Sequence, residues 1–214
     1  MIIDKTFARE LAADLLKINA VLLRPNQPFD WSSGWKAPIY CDNRLTLSHP
    51  AIRSAIASNF ATKIEAVEAD VDVITGTATA GIPHAAWVSA KMDKPMAYVR
   101  TKAKSHGTKN QIEGGVKKGE STVIVEDLIS TGGSALAVVD ALEFVGAEVK
   151  GIFAIFTYGF DVANEKFAER NIPVYTLTDY PTLVQVALES GYVSESDMEL
   201  LAEWRTSPST WPPA

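Results

Sequence analysis

The chain has 214 residues, 47% of them hydrophobic, enough for one globular core without a second domain. Its formal charge of −6 excludes a general nucleic-acid binder, which needs a net basic surface to neutralise phosphates, so any anionic ligand must be met by a local concentration of cations. Cys41, the single cysteine, excludes an intrachain disulfide framework and favours a reducing compartment. No apolar run approaches the ~18 residues of a membrane span. The start, Met1-Ile2-Ile3-Asp4, lacks a basic segment followed by an apolar one, so a cytoplasmic protein without a secretory signal is expected, with neither membrane nor nucleic acid as a partner.

In chain order, helical periodicity covers 6–18, and 24–45 then reads as neither helix nor strand. That stretch sets Trp31, Trp35, Pro38 and Tyr40 among Ser, Gly and Asn, a composition suited to a small hood over a crevice. A helix over 49–67, with Ser48 as its cap, leads to apolar strands at 71–75, 96–100, 122–125, 149–157 and 174–177. Helices are predicted between and after them at 82–92, 134–145, 162–170 and 183–190, an alternation that specifies an α/β fold with a mainly parallel central sheet flanked by helices. The stretch 101–118 is polar, glycine-punctuated and long for a connection, which suits a lid. Ser194-Glu195-Ser196-Asp197 has the form of a capping box with Asp in place of Glu, opening a last helix to about Trp204, and the proline-bearing tail 206–214 is expected to be loosely ordered.

The most informative unit is STVIVEDLISTGGS at 121–134. Thr122, Val123, Ile124 and Val125 read as a strand buried on both faces, and Glu126 and Asp127 follow where an open α/β sheet places its ligand crevice. Ser130, Thr131, Gly132, Gly133 and Ser134 then open a helix, and exposed amides at a helix start form a phosphate site. A plainer reading makes this an ordinary strand-turn-helix capped by Ser130 or Thr131; the acidic pair weighs against it, because carboxylates directly after a buried run are costly without partners. Other nucleotide signatures fail. Gly76 and Gly81 have P-loop spacing, but Ile82 and Pro83 stand where Lys and Ser or Thr are required, and no G-x-G-x-x-G follows a strand.

A second concentration of chemistry lies at Arg100, Lys102, Lys104, Lys109, Lys117 and Lys118, opposed by Glu113 and enclosing His106. A solvated charge run is one reading, and RNA binding a weaker one, since no aromatic residues interleave as a stacking platform requires. The third is a cationic lid over the 130–134 turn, with Gly107, Gly114 and Gly115 permitting movement. His106 beside a departing anion could donate a proton or hydrogen bond. His49 and His84 have structural explanations, at a helix start and within an amphipathic helix, and lack metal-ligand spacing.

The hydrophobic-E-D-hydrophobic-hydrophobic-S-T-G-G-S string resembles the phosphoribosyl-diphosphate (PRPP) motif of type I phosphoribosyltransferases. SSGWKAPIYCDNR at 32–44, TGTATAGIPHA at 75–85 and YVRTKAKSHGTKNQIEG at 98–114 extend the likeness over most of 32–158, and the R-x-K-x-K-x-H-G loop is similar to that of the orotate enzymes in particular. The resemblance implies one domain over 1–214 with the type I phosphoribosyltransferase fold, a hood from roughly 1–45 and a mobile catalytic loop at 101–118. It implies transfer of the 5-phosphoribosyl group from PRPP to orotate, with Lys104, His106 and Asp127 catalytic. PRPP contacts would come from Arg100, Lys102, Lys104, His106, Glu126, Asp127, Leu128, Ile129, Ser130, Thr131, Gly132, Gly133 and Ser134, and the orotate contact from Ser130. The turn 77–81 would meet the diphosphate through main-chain amides. Mg²⁺ would be carried by PRPP, with Asp127 a candidate ligand and no dedicated protein cage. A homodimer is implied in which Arg100 of one subunit reaches its neighbour's site.

The sequence departs from some members at Thr101, where a Lys can follow the loop arginine, at Thr79-Ala80 before Gly-Ile-Pro, where Tyr-Lys occurs, and at Ser32, where a Lys precedes S-G. Lys102 is a candidate for the displaced charge. No arginine stands within FTYGF at 156–160 to grip the orotate carboxylate, leaving Lys36 or amides near Tyr40 as candidates. Two alternatives stay open: another base as acceptor, and a PRPP-sensing regulator without catalysis. The second would ordinarily carry a DNA-binding unit, for which residues 1–23 offer one helix and little basic charge.

Overall fold

The computed structural model describes residues 1–31, 33–100 and 111–211. Helix α1 (Lys5–Lys17), capped by the Asp4 carboxylate accepting from Phe7 N, is followed by two short antiparallel pairs. Strand β1 (Val21–Leu23) pairs with β4 (Ile39–Cys41), and β2 (Phe29–Asp30) with β3 (Lys36–Ala37). The stretch expected to lack regular structure is therefore built from small hairpins, too short to leave a period-2 pattern among its prolines and glycines. A 3-10 helix (Asn43–Ser48) joins it to α2 (Pro50–Val67). The expected Ser48 cap is not used: Ser48 ends the 3-10 helix, and His49 stands at the N-cap without a side-chain bond, with Pro50 opening α2.

Then come β5 (Val73–Thr77), α3 (Gly81–Met92), β6 (Met96–Val99), β7 (Ile112–Gly114), β8 (Ser121–Ile129), α4 (Gly133–Phe144), β9 (Glu148–Thr157), α5 (Asp161–Glu169), β10 (Val174–Asp179), α6 (Tyr180–Glu189) and α7 (Met198–Thr206). The main sheet has six strands in the order β10-β9-β8-β5-β6-β7, all neighbours parallel except β6 with β7. Alternate residues of the central strands supply two cores. Val123 and Val125 of β8 and Phe153 and Ile155 of β9 join α1, α2, α3, α6 and α7 on one face, whereas Ile124, Ile152 and Ala154 meet α4 and α5 on the other. The chain start is tied in as well, with Ile2 bridging Thr176 beside β10.

Several expectations change. Strand β8 does not stop before the acidic pair but continues beside β9 to the Ile129–Thr157 register pair, so Glu126 and Asp127 are strand residues. Strand β5 leaves β8 at the Gly76–Val125 pair, which opens one side of the acidic pair to ligands. The stretch 101–118 contains β7, and Gly114 is no hinge: at φ +88 its Cβ position would lie 2.6 Å from the Met96 carbonyl oxygen, so it seats β7 on β6. The Ser194–Asp197 capping box is present, opening a 3-10 turn (Glu195–Asp197) before α7. The tail is not loose through 211, because Trp211 is buried in the first core. Among the described residues no helix is long and apolar enough to cross a membrane.

Candidate active site

The carboxyl ends of β8 and β9 face the hood across a cleft of about 500 Å³. Asp30, Trp31, Trp35 and Tyr40 line it from the hood, and Leu128, Ser130, Thr131 and Tyr158 from the sheet. Clefts of about 580 Å³ beside α7 and about 670 Å³ between α1 and α2 lie away from the strand ends, where an open α/β sheet binds no ligand by its topology.

After Ile129 the chain turns through Ser130 and Thr131 to Gly132, the N-cap of α4, whose φ of +78 is left-handed. A Cβ there would also lie 2.9 Å from Phe167 Cζ, so both backbone and packing require glycine. Neither Ser130 nor Thr131 caps the helix: the N-cap carries no side-chain hydrogen bond, and the amides of Thr131, Gly132, Gly133 and Ser134 have no partner among the described residues. Such a turn offers its donors, with the positive end of the helix dipole, to an anion of phosphate size. Lys166 Nζ, from α5, donates to Thr131 O at 3.4 Å and Tyr158 N to Ile129 O at 3.1 Å, holding the turn from outside.

The two acids differ. Glu126 is buried, with Oε1 accepting from Asp127 N at 3.0 Å, while Asp127 is half-buried. Burial, followed by contact with Asp127, pushes the Glu126 carboxyl well above the usual carboxylate range. Burial raises Asp127 as well, with the bond from Glu126 and the field of Arg44 acting against it. The Thr77 hydroxyl at the end of β5 is buried next to Glu126, and among the described residues neither Thr77 Oγ1 nor Glu126 Oε2 has a hydrogen bond of good geometry.

Glycine explains the preceding turn too. A Cβ at Gly81 would lie 2.4 Å from the Val125 carbonyl oxygen, so the start of α3 rests on β8 directly beneath the acidic pair. From the hood, Asn43 Nδ2 donates to Asp127 O at 2.6 Å, and Arg44 is held bidentate by Asp42 at 2.6 and 2.8 Å. Asn43 and Lys166 escaped the sequence reading, Asn43 although it lies inside the quoted hood segment CDNR; Thr77 belongs to the 77–81 turn, which was read for its main-chain amides and not for this hydroxyl.

Arg100 closes the β6–β7 hairpin, its N donating to Gln111 O at 2.9 Å and its guanidinium pairing with Glu113 at 3.6 Å. Lys117 and Lys118 lie away from Arg100: β7 runs back down the sheet, so Lys117 pairs with Glu120 and Lys118 packs at Gly146, at the amino end of β8. Ser32, Thr101, Lys102, Lys104, His106, Gly107 and Lys109 lie outside the described residues. Lys36 pairs with Asp30 at 2.6 Å on the cleft rim. Among the described residues no group of three His, Cys, Asp or Glu side chains could hold a metal ion.

Comparison with known proteins fixes the family. Residues 46–181 match the phosphoribosyl transferase domain. Orotate phosphoribosyltransferase of Listeria innocua serovar 6a is 56% identical over 203 residues, covering 95% of this chain and 97% of the relative. This chain belongs to the orotate phosphoribosyltransferases. The Enterococcus faecalis OG1RF member is 52% identical over 204 residues, covering 95% of this chain and 97% of its own. The crystal structure of orotate phosphoribosyltransferase from Aeropyrum pernix superposes with a TM-score of 0.73 at 29% identity, over 86% of this chain and 99% of that one. Type I phosphoribosyltransferase architecture thus accounts for the mostly parallel sheet.

Proposed function

We infer that the chain, as a single domain, transfers the 5-phosphoribosyl group of PRPP to N1 of orotate, releasing diphosphate and forming orotidine 5′-phosphate in cytoplasmic pyrimidine synthesis. The observation that carries this reading is the placement of four amides at 131–134, unpartnered among the described residues, close after Asp127 at the end of β8 and beside an aromatic hood. The amides suit the 5′-phosphate. Leu128 and Ile129 deliver the turn, and Glu126 and Asp127 face the ribose hydroxyls. Asp127 also opposes the positive charge that grows on the ribosyl carbon as the diphosphate departs. Ser130, in the cleft wall, meets orotate, while Trp31, Trp35 and Tyr158 supply apolar surface for a flat base.

Arg100, Lys102, Lys104 and His106 would neutralise the leaving diphosphate, with Lys104 and His106 acting on it directly. Amides of the 77–81 turn would bind its other side. Lid closure would exclude water that could capture the activated sugar. Mg²⁺ fits the donor set: a half-buried Asp127, with no acidic cage beside it among the described residues, suits an ion held mainly by substrate oxygens and one carboxylate. When bound it supplies charge neutralisation on the diphosphate. In a homodimer, Arg100 of one protomer would exchange Glu113 for the diphosphate in its partner's site.

The test is consumption of orotate, followed by its ultraviolet absorbance, with PRPP and Mg²⁺. Turnover of orotate but not of uracil or adenine is expected. Turnover of another base, or of none with PRPP still bound, would replace this reading by one of the two alternatives.

A further inference from the structure

The main-chain carbonyl of Asp127 lies beyond the last β5–β8 pair, Gly76 with Val125, and the donor it meets on the hood is a side chain, not a strand amide. That side chain is Asn43, fully buried, at 2.6 Å and a separation of 84 residues. The orientation of its amide follows from chemistry: only the NH₂ end can face a carbonyl oxygen, and Oδ1 at the other end has no partner among the described residues. A buried amide satisfied at one end is a cost to the fold, and a residue of that kind is retained where its donor does something an apolar side chain of similar size could not.

Asn43 is itself held. Thr46 Oγ1, fully buried, donates to Asn43 O at 2.6 Å, and Nε2 of the fully buried His84 stands 3.5 Å from the same hydroxyl. With the Thr46 hydrogen committed to Asn43, the imidazole contact requires a proton on Nε2, which leaves Nδ1 a bare acceptor and matches its lack of a partner. Burial holds His84 at a pKa of about 4, so the ring is neutral at ordinary pH and adds no charge. His84 belongs to α3, the helix whose first residue rests on Val125. The chain His84, Thr46, Asn43, Asp127 therefore runs from the helix behind the 77–81 turn, through the hood, to the peptide of the acid beside the reacting sugar.

We propose that Asn43 is a positioning residue for Asp127, and that Thr46 and His84 fix Asn43 in turn. The proposal rests on the reading of Asp127 as the group opposing positive charge on the sugar. Its effect then falls on the transition state more than on ground-state binding, because a small rotation of the Asp127 peptide moves the carboxylate relative to the ribosyl carbon.

The experiment is steady-state kinetics of Asn43→Ala in wild-type and Asp127→Asn backgrounds, after wild-type orotate turnover has been established; without that turnover the functional reading fails first, and visibly. A kcat lower by about 10- to 100-fold is expected, the scale of a misplacement of about 1 Å, with KM for orotate changed less than about threefold. In the Asp127→Asn background the same change should cost less than about twofold, since the group it positions is gone. Equal losses in both backgrounds, or a loss matching the unfolded fraction seen by circular dichroism, would overturn the proposal. Should Asn43→Ala fail to fold, Thr46→Val and Thr46→Ser decide: Val keeps the shape without the hydroxyl and should lower kcat several-fold, while Ser restores it. Identical kinetics for the two would also overturn the proposal.

Discussion

Gly81 and Val125 are in backbone contact, and this single approach sets the distance between the 77–81 turn and the acidic pair. No side chain fits, because a Cβ at 81 would stand 2.4 Å from the Val125 carbonyl oxygen, and a carbonyl in a central strand cannot move aside as the end of a flexible side chain could.

Gly81→Ala should therefore destabilise the chain although φ at this position carries no left-handed strain. Overpacking of this kind costs about 1–3 kcal/mol, which in a domain of this size lowers Tm by roughly 2–4 °C per kcal/mol. It should also raise KM for PRPP, since relief of the clash lifts the turn away from the crevice. Thermal denaturation and initial-rate kinetics check both, and an unchanged Tm would show that α3 can shift without cost. Gly133→Ala is the control: nothing lies within 4 Å of its Cβ position, and Tm should stay within about 1 °C.

The unequal acids give a pH prediction. The folded pKa of Glu126 is raised above its ordinary 4.5 by burial and by Asp127, so above that pH the native state holds a proton that the unfolded chain has lost. Stability falls as pH rises through this window, by about 1.4 kcal/mol for each unit that separates the folded from the unfolded pKa. Gln mimics the protonated acid and escapes the penalty. The Tm of Glu126→Gln should match wild type near pH 4 and exceed it increasingly toward pH 8. A variant less stable than wild type across that range would mean that Glu126 is ionised and held by partners.

The sequence made the site's location legible but not its inner order. Alternation of short apolar runs with helical stretches was enough for the sheet, because strands buried on both faces carry a strong local signal. The end of β8 was misjudged because charge looked like a strand terminus, whereas β9 continues alongside and supplies ladder partners that no local pattern reveals. Lys117 and Lys118 fell into the cationic loop on adjacency alone; the reversal of the chain at β7 carries them to the other end of the sheet. Asn43 and the ring cluster of Trp31, Tyr158 and Trp204, with centroids 5.1 to 5.6 Å apart, depend on contacts between segments far apart in sequence, for which periodicity gives no sign.

Sharing of a site between protomers is tested by complementation. Arg100 and Asp127 are each proposed to be indispensable, one from the hairpin that reaches across and the other from β8 of the site itself, so Arg100→Ala and Asp127→Asn should each be nearly inactive as homodimers. If Arg100 serves its partner, a mixed dimer places both lesions in one site and leaves the other site whole. Equal amounts of the two variants, unfolded and refolded together so that subunits exchange, should then recover about a quarter of wild-type turnover, since half of the dimers are mixed and each has one intact site. If Arg100 serves its own subunit, every site carries one lesion and mixing recovers nothing. The measured rate of the mixture separates these arrangements without any structure of the dimer, and the Arg100–Glu113 ion pair at 3.6 Å would then be the resting contact that the cross-subunit contact replaces.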